Sequence, residues 1–516
     1  MQALTRIAAT WRGLVCAAAM ALACAEPTSA LAQGGTLTYA NLSGPSTLDP
    51  YMAGAVVEME VVNQIYEGLV TLDEAYNPRL MLAEKLEIDR DARVFTFKLR
   101  QNVKFHNGQS MTSTDVIASF ERYAAISPNA TILSGATFTA VDSYTFVVTF
   151  EQSNPTFITA LSTPLYPVMI LPADQKSKPG REAETIGTGP FRVEEWRKDD
   201  HLILAKFDGY SPDMRDSGPD GFGGRKTVFL SKVRYNFVPE ANARVAALQS
   251  GSADVISSIP PELAARFAGN RGITKQETFP WAQAAFFMQT QNAPTNNVLV
   301  RRAIQAVVNV DDIMGATGQL ARRNPSLIYT TSPYYDERTA APYYGNSNIE
   351  KAKALLQEAG YKGERILLLT NSNYPAMRDA ILVLSEMMKT AGLNVEVQVL
   401  DWVTNSNNIQ RGTGGWNVST TTFTPAPLLG PQQWRNQLYN FAQIRGDAEL
   451  DKAYGRFMSS LDVNERKAAW ADIEHRLLDQ AYFVKIADYG AMNAYGARVK
   501  GLRPWFLLRF SDVSIN

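Results

Sequence analysis

The chain has 516 residues, of which 45% are hydrophobic and 20% are charged, and its formal net charge is −1 at pH 7. This length accommodates two or three domains, and the composition is ordinary for a globular protein. The nearly balanced charge argues against nucleic acid or an anionic membrane surface as the partner.

The first 32 residues have the features of a secretory signal peptide. Arg6 and Arg12 precede a short apolar run, and the small residues at 30 and 32 fit a cleavage site before Gln33. The apolar run is too short to cross a membrane comfortably. We therefore predict cleavage before Gln33 and a secreted mature protein.

Both cysteines of the chain, Cys16 and Cys24, lie inside this leader. The mature protein would then have no disulfide, no thiolate nucleophile and no cysteine metal site. Lipidation of Cys24 is the alternative to cleavage before Gln33. We rank lipidation second because Ala21 stands three residues before Cys24, where leucine is preferred.

Strands and helices are predicted to alternate along the rest of the chain, which indicates the α/β class. Period-two patterns predict strands, and apolar residues at helical spacing predict helices. The predicted elements are a strand over 36–40, a helix over 61–70, a strand over 144–152, a hairpin over 187–210, a strand–helix–strand unit over 232–256, a strand over 284–291, helices over 300–313 and 348–361, a strand over 365–370, a helix and strand over 384–400, and a helix and strand over 466–489.

The segment 95–123 is predicted to be a compact strand–turn–strand–helix unit. Apolar residues alternate over 95–99, and Asn107-Gly108 supplies a turn that tolerates positive φ. Thr112 and Asp115 have the spacing of a capping box that begins a helix. His106 lies beside the turn, and we expect it to bond to backbone rather than to act in catalysis.

No catalytic motif is found in the sequence. The three histidines, His106, His201 and His475, form no ligand-spaced pair, and no G-x-S-x-G elbow occurs. We therefore predict a protein that is not an enzyme and that needs no cofactor and no metal. A secreted hydrolase stays an alternative, because serine or carboxylate sites assemble only in space.

A series of motifs resembles the family 5 solute-binding proteins, the peptide-, nickel- and opine-binding components of ABC importers. The resemblance is strongest over 82–123, "LAEKLEIDRDARVFTFKLRQNVKFHNGQSMTSTDVIASFERY". Further matching motifs follow in the order that the family uses, and they lie at 65–87, 186–196, 244–261, 300–313 and 348–361. Any single motif would be weak, whereas the ordered series is specific.

The resemblance implies an α/β fold of two lobes joined by a hinge. Lobe 1 would comprise 33–282 and 490–516, with an extra subdomain at about 78–182, and lobe 2 would comprise 283–489. Chain crossings at 284–291 and 487–495 would form the hinge. The family would capture its ligand by closure of the lobes and deliver it, as a monomer, to ABC permease subunits in the membrane. A signalling receptor is an alternative that the sequence does not separate from transport.

Peptide binders of this family hold the ligand's α-ammonium with an aspartate shortly after a Gly-Trp pair. Gly415-Trp416 is present here, but residues 402–446 contain no Asp or Glu, while they include three arginines. Burying an ammonium without a carboxylate is costly. We therefore predict a small polar solute that is neutral or anionic and opine-, sugar-acid- or peptide-like. A di- or oligopeptide is the alternative ligand.

The candidate ligand-binding residues are polar or aromatic side chains that follow predicted strands or the Gly-Trp pair. Such side chains supply the hydrogen bonds and the stacking surfaces of a solute pocket. The alternatives are a plain turn for the asparagines and core packing for the aromatics, and we expect core packing for Trp434. The candidates are Asn41, Ser43, Asn371, Asn373, Tyr374, Trp402, Arg411, Trp416, Thr420, Thr421, Thr422 and Phe423.

Overall fold

The computed structural model describes residues 34–345, 347–423, 435, 438–503 and 505–516. The predicted signal peptide, with Cys16 and Cys24, lies outside the described residues, and so does Trp434. Within the described residues, no helix has both the length and the apolar character that a membrane crossing requires.

Strands and helices alternate along the described chain, which confirms the α/β prediction. The strands are β1 (Thr36–Asn41), β2 (Val70–Leu72), β3 (Pro78–Leu80), β4 (Ala83–Ile88), β5 (Val94–Leu99), β6 (Ala136–Asp142), β7 (Thr145–Phe150), β8 (Phe191–Arg197), β9 (His201–Lys206), β10 (Pro219–Asp220), β11 (Gly223–Gly224), β12 (Lys232–Phe237), β13 (Val255–Ile256), β14 (Ile273–Met288), β15 (Ala321–Arg322), β16 (Ile366–Asn371), β17 (Val395–Leu400), β18 (Val418–Phe423), β19 (Phe483–Gly496), β20 (Val499–Lys500) and β21 (Ser514–Ile515).

The helices connect these strands and cover the faces of the sheets. They are α1 (Val56–Ile65), α2 (Ser113–Ile126), α3 (Phe157–Leu161), α4 (Ala241–Ser250), α5 (Pro261–Ala264), α6 (Val298–Val307), α7 (Val310–Thr317), α8 (Glu337–Ala340), α9 (Ile349–Glu358), α10 (Pro375–Thr390), α11 (Trp402–Arg411), α12 (Ala448–Ser459) and α13 (Val463–Asp479).

One long sheet runs through the molecule in the order β17-β16-β18-β14-β19-β13-β1-β12-β9-β8, and β15 pairs with β19. The pairs β1–β12, β1–β13, β16–β17 and β16–β18 are parallel. The long strands β14 and β19 pair antiparallel at the middle of this order. They therefore connect a part of the sheet built on β1 with a part built on β16.

Separate hydrophobic cores lie on the two sides of β14 and β19. The first side has cores drawn from residues 37–255 with 499–515, and from 40–267 with Met492 and Ala494. The second side has cores drawn from 282–489 and 285–483. This division supports the predicted lobe boundaries, which stay a prediction, and we call the two sides the first and the second core region.

The register of β14 and β19 is interrupted near the border between the core regions. Thr278 pairs with Ala491, and Ala282 pairs with Tyr489, so three residues of β14 lie opposite Gly490 alone. The predicted crossing at 284–291 lies just after this irregularity, and the predicted crossing at 487–495 contains it. Because β14 and β19 pair on both sides of the irregularity, the two chain crossings lie next to each other.

The segment 95–123 folds into the predicted compact unit, with one difference. The turn at Gly108 has a φ of 86°, and the Asp115 carboxylate accepts a hydrogen bond from the Thr112 amide (2.8 Å), which begins α2. The second predicted strand is a single bridge between Lys104 and Ser110. The predicted strand has too few residues between its neighbouring turns to form a ladder of hydrogen bonds.

His106 bonds to backbone, as predicted. Its Nδ1 accepts a hydrogen bond from the Gly187 amide (3.2 Å), and its Nε2 lies 3.1 Å from the Gly189 carbonyl oxygen. Burial lowers the pKa of the ring. The residue therefore holds the turn against the β8 hairpin.

The helix predicted over 300–313 is two helices, α6 and α7. Asn309 separates them because its side-chain oxygen accepts from the amides of Asp311 (3.1 Å) and Asp312 (3.4 Å). The two aspartates then lie in the first turn of α7, where a negative charge is favoured. The apolar residues keep their helical spacing across Asn309, so the pattern alone predicted one helix.

Candidate functional site

A cavity of about 580 Å³ lies at the border between the two core regions, and we call it the junction pocket. The first core region contributes residues 258–262 and Met492 to its lining. The second core region contributes 317–319, Thr422 and Tyr489, while Leu320 packs against the first core region. A ligand in this pocket would therefore contact both halves of the molecule at once.

A smaller cavity of about 190 Å³ lies beside the junction pocket and inside the first core region, and we call it the inner pocket. Its lining includes the end of β1, the start of α1 and the segment near Leu508. Ser258, Trp281 and Ala491 line both cavities. The two pockets are therefore adjacent parts of one cleft.

Trp281 is the aromatic residue common to both cavities. It lies in the irregular part of β14, and its ring centroid is 5.2 Å from that of Phe506. The sequence analysis did not select Trp281, although the pair Pro280-Trp281 interrupts the strand pattern. Such an interruption is a signal that a side chain leaves the regular ladder.

Glu60 is an acidic residue that the sequence analysis also missed. It lies in α1, is 5% exposed, and lines the inner pocket. Burial raises the pKa of its carboxyl group to about 8, against the lowering effects of the Leu508 amide and the Tyr39 hydroxyl. In the sequence, a glutamate between the apolar residues Met59, Val61 and Val62 could have indicated a buried carboxyl group, because a helix with this apolar face packs into the core.

Asn41 and Ser43 line the inner pocket. The Asn41 side-chain oxygen accepts hydrogen bonds from the Ser257 hydroxyl (2.7 Å) and the Leu42 amide (2.8 Å). These contacts hold the end of β1 at the cavity wall. Both residues stay predicted ligand contacts, and their position supports that prediction.

The three candidate threonines follow one another in β18 and have different surroundings. Thr422 lines the junction pocket. Thr420 is buried and donates its hydroxyl to the Ala285 carbonyl oxygen (2.9 Å). Thr421 is also buried. Because neighbouring strand residues face opposite sides of the sheet, the run Thr420–Thr422 does not present one continuous hydroxyl surface.

Four of the candidate residues lie close together where β16 and β17 end: Asn371, Asn373, Tyr374 and Trp402. The Asn371 side chain accepts from the amides of Asn373 (3.1 Å) and Tyr374 (2.8 Å), and the Asn373 side chain accepts from the Trp402 amide (2.8 Å). The rings of Tyr374 and Trp402 meet edge to face at 5.0 Å. The two asparagines thus fix the turn, which was the alternative considered for them, and their ligand role stays a prediction.

Trp416 and Phe423 lie in the core of the second region rather than on a cleft surface. Trp416 is fully buried, packs edge to face on Phe287 (5.8 Å), and donates its indole N–H to the Asn408 carbonyl oxygen (3.2 Å). Phe423 is 6% exposed and packs on Phe441. This position favours core packing, which was the alternative considered for both rings, and their role in ligand binding stays a prediction.

The arginines of the acid-free segment do not line either described pocket. Arg411 is exposed at the end of α11. Arg435 pairs with Asp451 (3.0 Å), and Arg445 donates to the Ile444 carbonyl oxygen (2.9 Å). A role of Arg411 in ligand binding stays a prediction without a described contact.

Comparison with known proteins agrees with this architecture. The sequence profile of the "Bacterial extracellular solute-binding proteins, family 5 Middle" matches residues 77–437. The glutathione-binding protein GsiB of Shigella dysenteriae is 25% identical over 480 residues, which cover 88% of this chain and 89% of that protein.

Two solved structures extend the likeness over nearly the whole chain. The binding protein AgaA of A. tumefaciens, in complex with agropinic acid, has 26% identity and a TM-score of 0.75, covering 93% of this chain and 99% of its own. The protein DppA of Helicobacter pylori, in complex with the peptide STSA, has 22% identity and a TM-score of 0.76, covering 94% and 98%. These structures confirm the predicted two-lobe binding-protein fold.

The family profile covers well over half of the chain, and the lobes and cleft have the arrangement of the solved structures. The chain therefore belongs to the family 5 bacterial extracellular solute-binding proteins, the substrate-binding components of ABC importers, and it is a binding protein and not an enzyme.

Proposed function

We propose that this protein captures a small amino-acid-derived solute in the periplasm and delivers it to the permease of an ABC importer. The observation that carries this proposal is the junction pocket, whose lining comes from both core regions. Its volume of about 580 Å³ lies in the range of small-molecule sites.

The solute class rests on the relatives and on the pocket lining. GsiB is named for glutathione, DppA holds a peptide, and AgaA holds agropinic acid, so amino-acid-derived compounds recur among them. Ser258, Gln319 and Thr422 offer polar groups to such a solute, and Trp281 offers an aromatic face. An opine-like conjugate and a short peptide are the two members of this class that we favour.

Closure of the lobes would couple binding to delivery. A solute that touches both lobes stabilises the closed state more than the open state, so it shifts the hinge equilibrium. The irregular register around Gly490 supports a pivot at that position, because few ladder bonds have to change there. Micromolar affinity corresponds to about 8 kcal/mol, which a solute enclosed between lobes can supply.

The export route is part of this proposal. The leader at residues 1–32 would direct the chain to the periplasm, with lipidation of Cys24 as the second possibility. Mass spectrometry of protein purified from the native host would give a mature chain that begins at Gln33. A lipid-modified amino terminus at Cys24 would contradict cleavage before Gln33.

A thermal-shift screen of the mature protein tests the solute class. The panel contains dipeptides, glutathione, opine conjugates, sugar acids and phosphodiesters. A solute at 100 times its Kd adds about 2.7 kcal/mol to the free energy of unfolding, so a true ligand raises the melting temperature clearly. Stabilisation only by sugar acids or phosphodiesters would contradict the amino-acid-derived class.

A further inference from the structure

Three glutamates on and after α1 are buried, and two of them have complete sets of partners. Glu58 accepts from the amides of Gly54 (3.0 Å) and Ala55 (3.0 Å) and from Ser46. Glu67 binds Lys226 at 2.8 Å and also accepts from the hydroxyls of Tyr210 and Thr188. Their contacts explain both residues as structural groups.

Glu60 differs from these two because its partners are incomplete. Oε2 accepts from the Leu508 amide (3.2 Å), whereas Oε1 is buried and makes no direct hydrogen bond with any residue that the structure describes, although the Tyr39 hydroxyl acts on the carboxyl group from nearby. Leaving such an oxygen unpaired costs free energy, so it requires an explanation. Among the three glutamates, Glu60 is the one that lines the inner pocket.

The surroundings of Glu60 suit a positively charged group. Glu60 and Glu262 supply the carboxyl groups in the lining of the inner and junction pockets, and that lining includes no lysine or arginine. The aromatic side chains of Tyr39 and Trp281 line the inner pocket as well. Aromatic faces attract cations and add to the attraction of a carboxylate.

We propose that Glu60 recognises a protonated amine of the solute and thereby supplies, from the first lobe, the acid that the acid-free segment 402–446 lacks. This inference rests on the proposed function, because it concerns the same cleft. An ammonium group placed against Oε1 would give that oxygen its missing partner through a charge-assisted hydrogen bond. The solute as a whole can still be neutral or anionic if it also carries a carboxylate.

Binding at Glu60 would release a proton. Burial raises the pKa of the Glu60 carboxyl group to about 8, so this group is mostly protonated at neutral pH. An ammonium beside the carboxylate lowers that pKa, and the proton then passes to solvent.

The other titratable groups around Glu60 do not take up this proton. Burial raises the pKa values of Tyr39 and Tyr235 far above normal, which keeps both hydroxyls neutral. Arg244, which acts on Tyr39, gives its guanidinium hydrogens to backbone carbonyl oxygens including that of Ser257.

The test uses matched probes that differ only in the amine. Met-Leu and glutathione are compared with their N-acetyl derivatives, and agropinic acid serves as an opine probe, in titration calorimetry on the wild-type mature protein. We expect the amine form of the binding probe to be about 10- to 100-fold tighter than its acetylated form, which corresponds to the strength of a hydrogen bond to a charged group.

The variant arm uses Glu60→Gln, with Glu350→Gln as the matched control because the Glu350 side chain is 84% exposed and lines neither pocket. Glu60→Gln should weaken the amine probe to the level of its acetylated form, whereas Glu350→Gln should not. In buffers of different ionisation enthalpy, wild-type protein should release close to one proton per bound amine near pH 7. The Glu60→Gln variant should release none.

Two outcomes separate this inference from the proposed function. Equal affinity for amine and acetylated probes, or binding of agropinic acid alone, whose lactam nitrogen carries no ammonium charge, overturns the role of Glu60 and leaves solute binding intact. Failure of every probe to bind overturns the proposed solute class and the role of Glu60 together.

Discussion

Glu60 makes the stability of the protein depend on pH. The pKa of its carboxyl group is about 8 in the folded state and near the ordinary 4.5 in the unfolded state, so the folded state holds the proton longer. The free energy of unfolding therefore falls as pH rises from about 5 to 8. Full ionisation of this fully buried group costs roughly 3–5 kcal/mol.

Replacing Glu60 with glutamine should remove this dependence. We expect the Glu60→Gln variant and the wild type to melt alike near pH 5, and the variant to melt at a higher temperature near pH 9. Calorimetric melting across this pH range measures the difference, and Glu262→Gln should follow the wild type because water solvates its exposed carboxylate. A constant gap between Glu60→Gln and the wild type at all pH values would show that Glu60 does not titrate in this range.

Trp416 should act on stability and not specifically on the ligand. Truncation of a fully buried tryptophan leaves a cavity and typically costs about 3–5 kcal/mol, so Trp416→Ala should lower the urea midpoint strongly. Trp402→Ala is the control, because Trp402 is partly exposed and packs mainly on Tyr374. A Trp416→Ala variant of wild-type stability that has lost solute binding would restore the cleft assignment.

The burial and direction of single side chains were the features of this molecule that the sequence predicted least well. The Gly-Trp pair predicted a ligand role for Trp416, whereas its burial depends on packing against Phe287 and Ile409, which the local sequence does not show. The sequence analysis also missed Glu60, because nothing near it in the sequence shows that it is buried. Its burial depends on Tyr39 and Leu508, which are distant in sequence.

At the scale of elements, Gly490 fits the crossing of β14 and β19 because it lacks a side chain. A Cβ atom there would lie 2.5 Å from Cζ of Phe279 and 2.9 Å from Cδ2 of Leu320. The Arg322 guanidinium lies 3.8 Å from the ring centroid of Phe279 and covers the ring. The crossing is therefore closely packed on the side of the junction pocket.

Substitution of Gly490 should disturb both stability and binding. Overpacking costs typically about 1–3 kcal/mol, so Gly490→Ala should lower the urea midpoint and weaken solute binding at the adjacent pocket. Gly455→Ala, in the middle of α12 with open space around its Cα, should instead be neutral or stabilise by up to about 1 kcal/mol. Unchanged stability and affinity in Gly490→Ala would refute the tight crossing.

Arg122 ties α2 to the loop before α1. Its guanidinium donates to both carboxylate oxygens of Asp49 (3.0 and 2.6 Å), and both side chains are almost fully buried. The Arg181 amide also donates to Asp49 (2.9 Å). A buried ion pair thus holds the strand–helix unit that the sequence predicted against the rest of the first core region.

Breaking this pair should destabilise the protein strongly. Arg122→Leu leaves the Asp49 charge buried without its partner, at a cost of about 3–5 kcal/mol in the free energy of unfolding measured with urea. Arg338→Leu breaks a pair with Asp336 in which Arg338 is 90% exposed, and it should leave the free energy of unfolding nearly unchanged because water screens the pair. Equal changes in the free energy of unfolding for the two substitutions would contradict a stabilising role of the buried Arg122–Asp49 pair.

Elements were predictable where local chemistry determines them. The strand at β5, the turn at Gly108 and the capping of α2 by Asp115 follow from residues next to one another, and the structure has all three. The division of α6 from α7 was missed, because the apolar period continues past the Asn309 cap. The extent of β14 and β19 was also missed, because their pairing joins segments about 200 residues apart.

At the scale of the whole molecule, the ordered motif series predicted the family and the two-lobe fold, and the family profile and the solved structures confirm both. The site was less accessible to prediction. A cleft between lobes has walls from many separate segments, so Asn41, Ser43 and Thr422 were the candidates placed in its lining, while Trp281 and Glu60 became visible only in three dimensions.

Small-angle X-ray scattering with and without solute tests closure around the ligand most directly. The probe is the solute that gives the largest thermal shift, added at saturation to the mature protein at several protein concentrations. Closure of two lobes on a solute predicts a smaller radius of gyration with solute, at unchanged molecular mass. An unchanged radius of gyration at proven one-to-one saturation would contradict capture by closure.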